Sequence, residues 1–304
     1  MKLERAYSEI ADIMPEERVL LNEKMSNHTT FCTGGPADIM VRPATKSQFK
    51  NAIRLLYNYE VPYMVIGRGS NLLVGDEGIR GAVVKLGDPF AMVSVDGEYI
   101  SAEAGASNKA VVKAGHDKGL VGMEFFAWIP GSVGGAVVMN AGAHGGEVKQ
   151  FLTEVEVMGG DFKTVTVSAK DLDLAYRSSN LQGSGRYVTR AVFRLKSGDV
   201  EQAKAYMAEL GETRKAKQPL EYPSAGSVFK RPVGYYAGQL IEEAGLKGYT
   251  IGGAQVSEKH AGFIINRGGA TSKDILLLIR HIQETVYTRE GVKLETEVKL
   301  VGEF

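Results

Sequence analysis

The stretch Val65-Ile66-Gly67-Arg68-Gly69-Ser70-Asn71-Leu72-Leu73-Val74 runs from a short apolar strand into a tight glycine turn and out into a second apolar run. Glycine admits positive φ and carries no Cβ, so successive N–H groups in such a turn can converge on anionic oxygens. Arg68 adds charge there, and Ser70 and Asn71 add neutral hydrogen-bonding groups. The commonest nucleotide signatures do not fit. Gly67-Arg68-Gly69-Ser70-Asn71-Leu72 lacks the third glycine of the dinucleotide fingerprint, and the chain holds no G-x-x-x-x-G-K-[ST] run.

A second window, Ile129-Pro130-Gly131-Ser132-Val133-Gly134-Gly135-Ala136, continues through Met139-Asn140-Ala141-Gly142-Ala143-His144-Gly145-Gly146. Glycine supplies 37 of 304 residues, well above the usual ~7 %. Residues 67–81 hold five of them and residues 119–146 eight. Small residues with few charges suit a flat ligand lying against backbone. Spacing alone leaves a cofactor cradle and the tight turns of a compact β domain equally open.

Composition narrows the class. Lys+Arg and Asp+Glu both number 36, which argues against a nucleic-acid binder relying on a broad basic field. Cys32 is the single cysteine, so no internal disulfide forms and no cysteine cluster holds a metal; it reads as a small buried hydrophobe. His144 and His260 read as turn or surface histidines, and no metal site is expected. No apolar run approaches a membrane span or an h-region, which reads as a protein without membrane insertion, of cytoplasmic localisation.

Periodicity gives an α+β class in about three units. Thr45 caps a helix presenting Phe49, Ile53 and Leu56 on one face and stopping before Pro62. Strands are expected over 99–103, 153–158, 162–167 and 187–195, with a hairpin turn at Gly159-Gly160-Asp161 and a helix over 108–118. A helical pattern runs from Asp199 to Lys217 until Pro219 and Pro223 break it. Thr271 or Ser272 opens a last helix striped by Ile275, Leu278, Ile279, Ile282 and Val286 and closed at Gly291, and a final strand alternates from Val292 to Leu300.

Read by residue type, Glu297 belongs to a solvated strand face and Arg177 to a loop that anchors a carbonyl or carboxylate. Ser227 reads as a turn serine and Lys217 as a helix-end cation.

The two glycine windows resemble the FAD pyrophosphate segments of the UDP-N-acetylenolpyruvoylglucosamine reductases (the MurB family). Asn27-His28-Thr29-Thr30-Phe31 and Gly34-Gly35-Pro36-Ala37 resemble that family's opening. Three later runs narrow the match: Ala175-Tyr176-Arg177-Ser178-Ser179, Ala225-Gly226-Ser227-Val228-Phe229-Lys230-Arg231-Pro232, and Leu294-Glu295-Thr296-Glu297-Val298. The chain has no room for the extra tyrosine-bearing loop of the longer family form and so resembles the shorter one.

That resemblance implies a fold: an FAD-binding domain of the vanillyl-alcohol-oxidase/PCMH type made of two α+β subdomains, plus a C-terminal α+β substrate domain. It implies FAD-binding subdomains over 1–86 (rejoined by 298–304) and 87–212, and a substrate domain over 213–297. It further implies NADPH-dependent reduction of UDP-N-acetylglucosamine enolpyruvate to UDP-N-acetylmuramate in peptidoglycan precursor synthesis, with hydride passing through the flavin and protonation by a serine. FAD and NADPH are the implied cofactors, and no obligatory protein partner is inferred. By the same resemblance Arg177, Ser227 and Glu297 would be catalytic. Gly67, Arg68, Gly69, Ser70, Asn71, Pro130, Gly131, Ser132, Gly134, Gly135, Asn140, Ala141 and Gly142 would bind FAD. Tyr176, Arg214, Lys217 and Lys230 would bind substrate. An oxidase of the same flavoprotein superfamily and a non-catalytic nucleotide-binding module are the competing readings.

Overall fold

The computed structural model describes residues 2–304. The chain divides into two compact units: Met1–Leu21, Ile39–Arg68 and Gly81–Glu212 form one, and Asn22–Asp38, Gly69–Arg80 and Thr213–Phe304 form the other.

In the first unit, α1 (Lys2–Ala11) and α2 (Lys46–Asn58) accompany a sheet ordered 19–24, 36–41, 79–85, 63–66; the chain leaves this unit within three of those strands. Thr45 caps α2 by accepting the Gln48 N–H, and Phe49, Ala52, Ile53 and Leu56 are buried at helical spacing. The 63–66 strand pairs in parallel with 82–85 and delivers Gly67 at its C-terminal end.

A second sheet, all antiparallel, is ordered 164–168, 152–158, 187–194, 99–103, 93–96. Along 152–158, Leu152, Val155, Val157 and Met158 are buried, strict alternation being broken where two irregularities re-set the register against 187–194. The Gly159–Lys163 loop makes the expected hairpin but also takes Phe162, which adopts φ +59° and packs edge-on against Tyr57, so the return strand starts at Thr164.

Helices α3 (Asn108–His116), α4 (Val133–Val138) and α5 (Val200–Lys217) complete this part of the chain. Trp128 donates its indole N–H to the Met207 carbonyl of α5 at 2.7 Å. A Cβ on Gly211 would stand 2.3 Å from the Trp128 ring, so the helix closes onto the indole only because that position is glycine.

The second unit is built on α6 (Ala237–Glu243), α7 (Ser272–Glu290) and a small antiparallel sheet over 250–251, 254–256 and 264–266. Thr271 and Asp274 form a capping box at the start of α7, its buried stripe is Ile275, Leu278, Ile279, Ile282 and Val286, and Gly291 ends it at φ +67°. Asp76 adds its carboxylate across the Ser272 and Lys273 N–H groups, both at 2.8 Å.

Two expectations are corrected. The final strand covers only Lys299–Val301, paired in parallel with Leu72–Val74. Residues 294–298 run as irregular chain because their backbone groups bond to 228–230 on one side and Asn71 on the other. Cys32 is exposed: the chain turns there at φ +56°, and the neighbouring Phe31 takes the core position.

Candidate active site

In the first unit the site begins where the 63–66 strand stops. A Cβ on Gly67 would lie 2.0 Å from Ser132 Oγ. Ser132 is 2 % exposed, and its hydroxyl has no hydrogen-bond partner within the protein among the described residues. Buried hydroxyls are ordinarily satisfied, so an unpaired one facing a Cβ-free wall marks a place for a polar ligand. FAD, with its pyrophosphate and many acceptors, fits that wall.

The backbone after Ser132 is held rigidly. Val133 N–H donates to Ala106 O and Gly134 N–H to Ala104 O, both at 2.9 Å, and a Cβ on Gly134 would crowd the Ala104 Cβ at 2.9 Å. Gly131 takes φ +140°. Pro130 and Gly135 are exposed on the same run. Arg68 is exposed and ion-paired with Asp88 at 2.6 Å.

Asn140 is fully buried at φ +40°. Its amide donates to Glu147 at 2.8 Å and to Ala175 O at 3.0 Å, and its Oδ1 accepts the Lys149 N–H at 2.9 Å. The Asn140 side chain therefore supports the turn that carries Tyr176 and Arg177. Ala141 donates to Ala136 O and accepts from Val148 N–H, which fixes the run into Gly142.

Ala175 and Ser178 exchange both backbone hydrogen bonds at 3.1 Å, so Tyr176 and Arg177 form the tip of a two-residue turn. Arg177 adopts φ +53°, a conformation that costs a non-glycine residue about 1 kcal/mol or more and tends to mark functional positions. Its Nη2 donates to Gly142 O at 2.9 Å, and its guanidinium lies 4.9 Å from the half-exposed Tyr176 ring. Arg177 is thereby aimed by the same Gly142 segment that the glycine windows single out.

The second unit, taken by itself, holds a further set of the expected residues. Gly69, at φ +65°, accepts the Thr30 N–H, and a Cβ there would meet His28 O at 2.0 Å. Ser70 and Asn71 follow, half-buried. Asn71 donates its side-chain N–H to Glu297 O at 3.0 Å and accepts the Lys299 N–H at 2.9 Å.

The exposed Ser227 bridges to Phe263, and Val228 N–H donates to Gly262 O. Val228 O in turn accepts the Glu297 N–H at 2.7 Å. Ser227 and the half-buried Glu297, seventy positions apart in the chain, thus stand on adjoining main-chain segments. Lys230 sits one step further along, bonded through its N–H to Glu295 O and through Nζ to the Glu295 carboxylate at 3.1 Å.

Arg214 is half-buried near the end of α5, bonded to Gln218 at 2.7 Å, and burial lowers its pKa from the ordinary arginine value. Lys217 is exposed at the last position of that helix. Sequence reasoning missed the side-chain tie from Asn71 to Glu297 and the Asp76 clamp on α7. Only the presence of Asn and Asp in a turn signalled them.

Residues 37–168 match the model of an FAD binding domain, and residues 218–301 match that of the UDP-N-acetylenolpyruvoylglucosamine reductase C-terminal domain. The UDP-N-acetylenolpyruvoylglucosamine reductase of Caldanaerobacter subterraneus subsp. tengcongensis is 49 % identical over 294 residues, covering 97 % of each chain. That of Pediococcus pentosaceus is 48 % identical over 294 residues, covering 97 % of this chain and 98 % of the relative. Among solved structures, UDP-N-acetylenolpyruvylglucosamine reductase (MurB) from Thermus caldophilus superposes with a TM-score of 0.80 at 38 % identity, over 93 % of this chain and 97 % of that one. The 4-ethylphenol oxidase of Gulosibacter chungangensis shares the fold alone, with a TM-score of 0.51 and 17 % identity over 97 % of this chain and 65 % of that one. The expected FAD-binding α+β fold is therefore the observed one, and the chain belongs to the UDP-N-acetylenolpyruvoylglucosamine reductase family, as an FAD-binding oxidoreductase.

Proposed function

We propose that this protein reduces the enolpyruvyl ether of UDP-N-acetylglucosamine to the lactyl ether, with NADPH as reductant, in peptidoglycan precursor synthesis. The observation that supports this reading is the Glu297 N–H to Val228 O bond, which joins the main chain of Glu297 to that of the residue after Ser227, from separate stretches of chain.

Gly67, Arg68, Gly69, Ser70, Pro130, Gly131, Ser132, Gly134, Gly135, Asn140, Ala141 and Gly142, with the backbone of Asn71, would hold FAD. Bound FAD supplies a ring able to take two electrons from a nicotinamide and return them to carbon. The rest of the chemistry belongs to the protein. Reduction at the terminal vinyl carbon drives negative charge onto the substrate carboxylate, and an aimed cation lowers the cost of that charge. Arg177 is permanently charged, forked, and oriented by Gly142 O.

Glu297 assists in its protonated form or by orienting a cation, since an ionised carboxylate would repel the charge building on the substrate. Ser227 Oγ gives its proton to the adjacent carbon. The enol-like carbon is basic enough to take a hydroxyl proton when the two are aligned, and Lys217 or Lys230 offsets the alkoxide left behind. Tyr176, Arg214, Lys217 and Lys230 would contact the substrate, the cations serving its phosphates.

In this scheme residues 1–86 with 298–304, and 87–212, serve the cofactor, while 213–297 serve the sugar nucleotide. No helix among the described residues is long and apolar enough to cross a membrane, which is compatible with a cytoplasmic enzyme.

Ser227→Ala tests the reading in stopped flow. Flavin reduction by NADPH should stay close to wild type while reoxidation by the enolpyruvyl substrate collapses. Equal damage to both half-reactions would remove the proton-donor role.

A further inference from the structure

Both backbone polar groups of Glu297 are held. Its N–H donates to Val228 O at 2.7 Å, and its carbonyl accepts from the Asn71 side chain at 3.0 Å. Asn71 also accepts the Lys299 N–H through its own carbonyl at 2.9 Å, immediately before the parallel rungs Leu72–Lys299, Leu73–Leu300 and Val74–Val301 begin. The side-chain amide therefore adds a bond where the ladder ends. It sets the point at which residue 297 departs from regular pairing and turns its backbone toward Val228. In a continued parallel ladder the Asn71 backbone N–H would be the next donor to Glu297 O; here the Asn71 side-chain amide makes that bond instead.

We infer that Asn71 is a positioning residue for Glu297, with its side chain serving the carboxyl residue of the substrate half-reaction rather than the cofactor. This inference rests on the role proposed for Glu297. The glycine turn at 67–71 then does two things with one loop: its backbone borders the cofactor wall, and its last side chain aims the group that works on substrate. Misplacing a reacting group by about 1 Å can cost on the order of a hundredfold in rate. Loss of this one tie is therefore expected to be visible in kinetics without unfolding a unit whose core is buried apolar packing.

The test uses FAD-loaded enzyme carrying Asn71→Ala, Asn71→Asp (nearly the same shape, with no N–H to donate) and Glu297→Ala. Both Asn71 variants should slow reoxidation by the enolpyruvyl substrate by roughly ten- to a hundredfold, with flavin reduction by NADPH within about twofold of wild type. Both should bind FAD within about threefold of wild type by fluorescence titration, a difference below 1 kcal/mol. Amide hydrogen exchange should quicken in the peptide spanning 294–301.

Weakened FAD binding with both half-reactions slowed together would make Asn71 a cofactor ligand and overturn the inference. So would unchanged exchange in 294–301, wild-type reoxidation in either Asn71 variant, or an Asn71→Asp enzyme matching wild type. Wild-type reoxidation by Glu297→Ala would overturn the role of Glu297 and the inference together. A slow Glu297→Ala enzyme beside unaffected Asn71 variants would overturn only the inference.

Discussion

Ser132 Oγ lies 2.0 Å from where a Cβ on Gly67 would be, and it has no hydrogen-bond partner inside the protein among the described residues. The two halves of that relationship predict opposite behaviour for two small substitutions. Gly67→Ala must push the Ser132 hydroxyl or the loop aside, so the purified protein should carry little flavin, read as flavin absorbance per chain. Ser132→Ala removes a buried hydroxyl that nothing in the protein satisfies. The FAD-free protein should be as stable as wild type or slightly more so, while FAD affinity falls by about 0.5–1.5 kcal/mol, the usual net worth of one hydrogen bond. Destabilised apo-Ser132→Ala with unchanged FAD affinity would show that the hydroxyl is structural.

Arg177→Lys keeps the charge but loses the fork that reaches Gly142 O. Its effect should fall on substrate reduction, by roughly 10²–10³ if Arg177 acts as an oxyanion-type donor. Flavin content and reduction by NADPH should be preserved. Transient kinetics of the two half-reactions decides this, and a uniform loss in both would place Arg177 in general folding instead.

Asp76→Ala should weaken the second unit. Its carboxylate accepts from both Ser272 and Lys273 at the start of α7, where partial positive charge and unpaired N–H groups favour an anion. The Thr271–Asp274 capping box remains, so the cost is expected near that of a lost cap, about 1–2 kcal/mol in urea unfolding.

His260 makes stability depend on acidity. Burial, chiefly, and the nearby Lys247 lower its pKa from 6.5, and its Nδ1 accepts the Gly262 N–H at 3.1 Å, which a protonated ring nitrogen cannot do. The folded protein therefore holds the proton less tightly than the unfolded chain. Stability should be full above the unfolded value of about 6.5, decline as pH falls, and level off below the depressed folded value. His260→Asn keeps an acceptor for Gly262 without titrating, so it should flatten the change in urea midpoint between about pH 7.5 and pH 5. An unflattened profile would mean that other groups dominate.

Much of the local architecture was legible because it depends on near neighbours. Thr45 caps the helix it was expected to cap, Thr271 is the cap of the helix expected to open at Thr271 or Ser272, and the stripe from Ile275 to Val286 is buried as its period requires. Gly159 and Gly160 mark the hairpin between 152–158 and 164–168. The strand read over 292–300 failed because alternation was real but its partners were not a regular sheet. Leu294 and Val298 are buried, yet the backbone between them bonds to Val228, Lys230 and Asn71. Cys32 failed for a similar reason, since a left-handed turn outweighed its apolar preference.

By itself the sequence determined the class of this protein, the two windows where glycine concentrates, and the residue types able to meet an anionic ligand. Each depends on composition and short-range order, which a linear reading contains. Only the tertiary structure decided that Gly67 faces Ser132, that Arg177 is aimed by Gly142, and that the main chain of Glu297 bonds to Val228, next to Ser227, and to the Asn71 side chain. Those relationships are hydrogen bonds and close approaches between residues tens to hundreds of positions apart. Their energy comes from geometry that exists only once the intervening chain has packed.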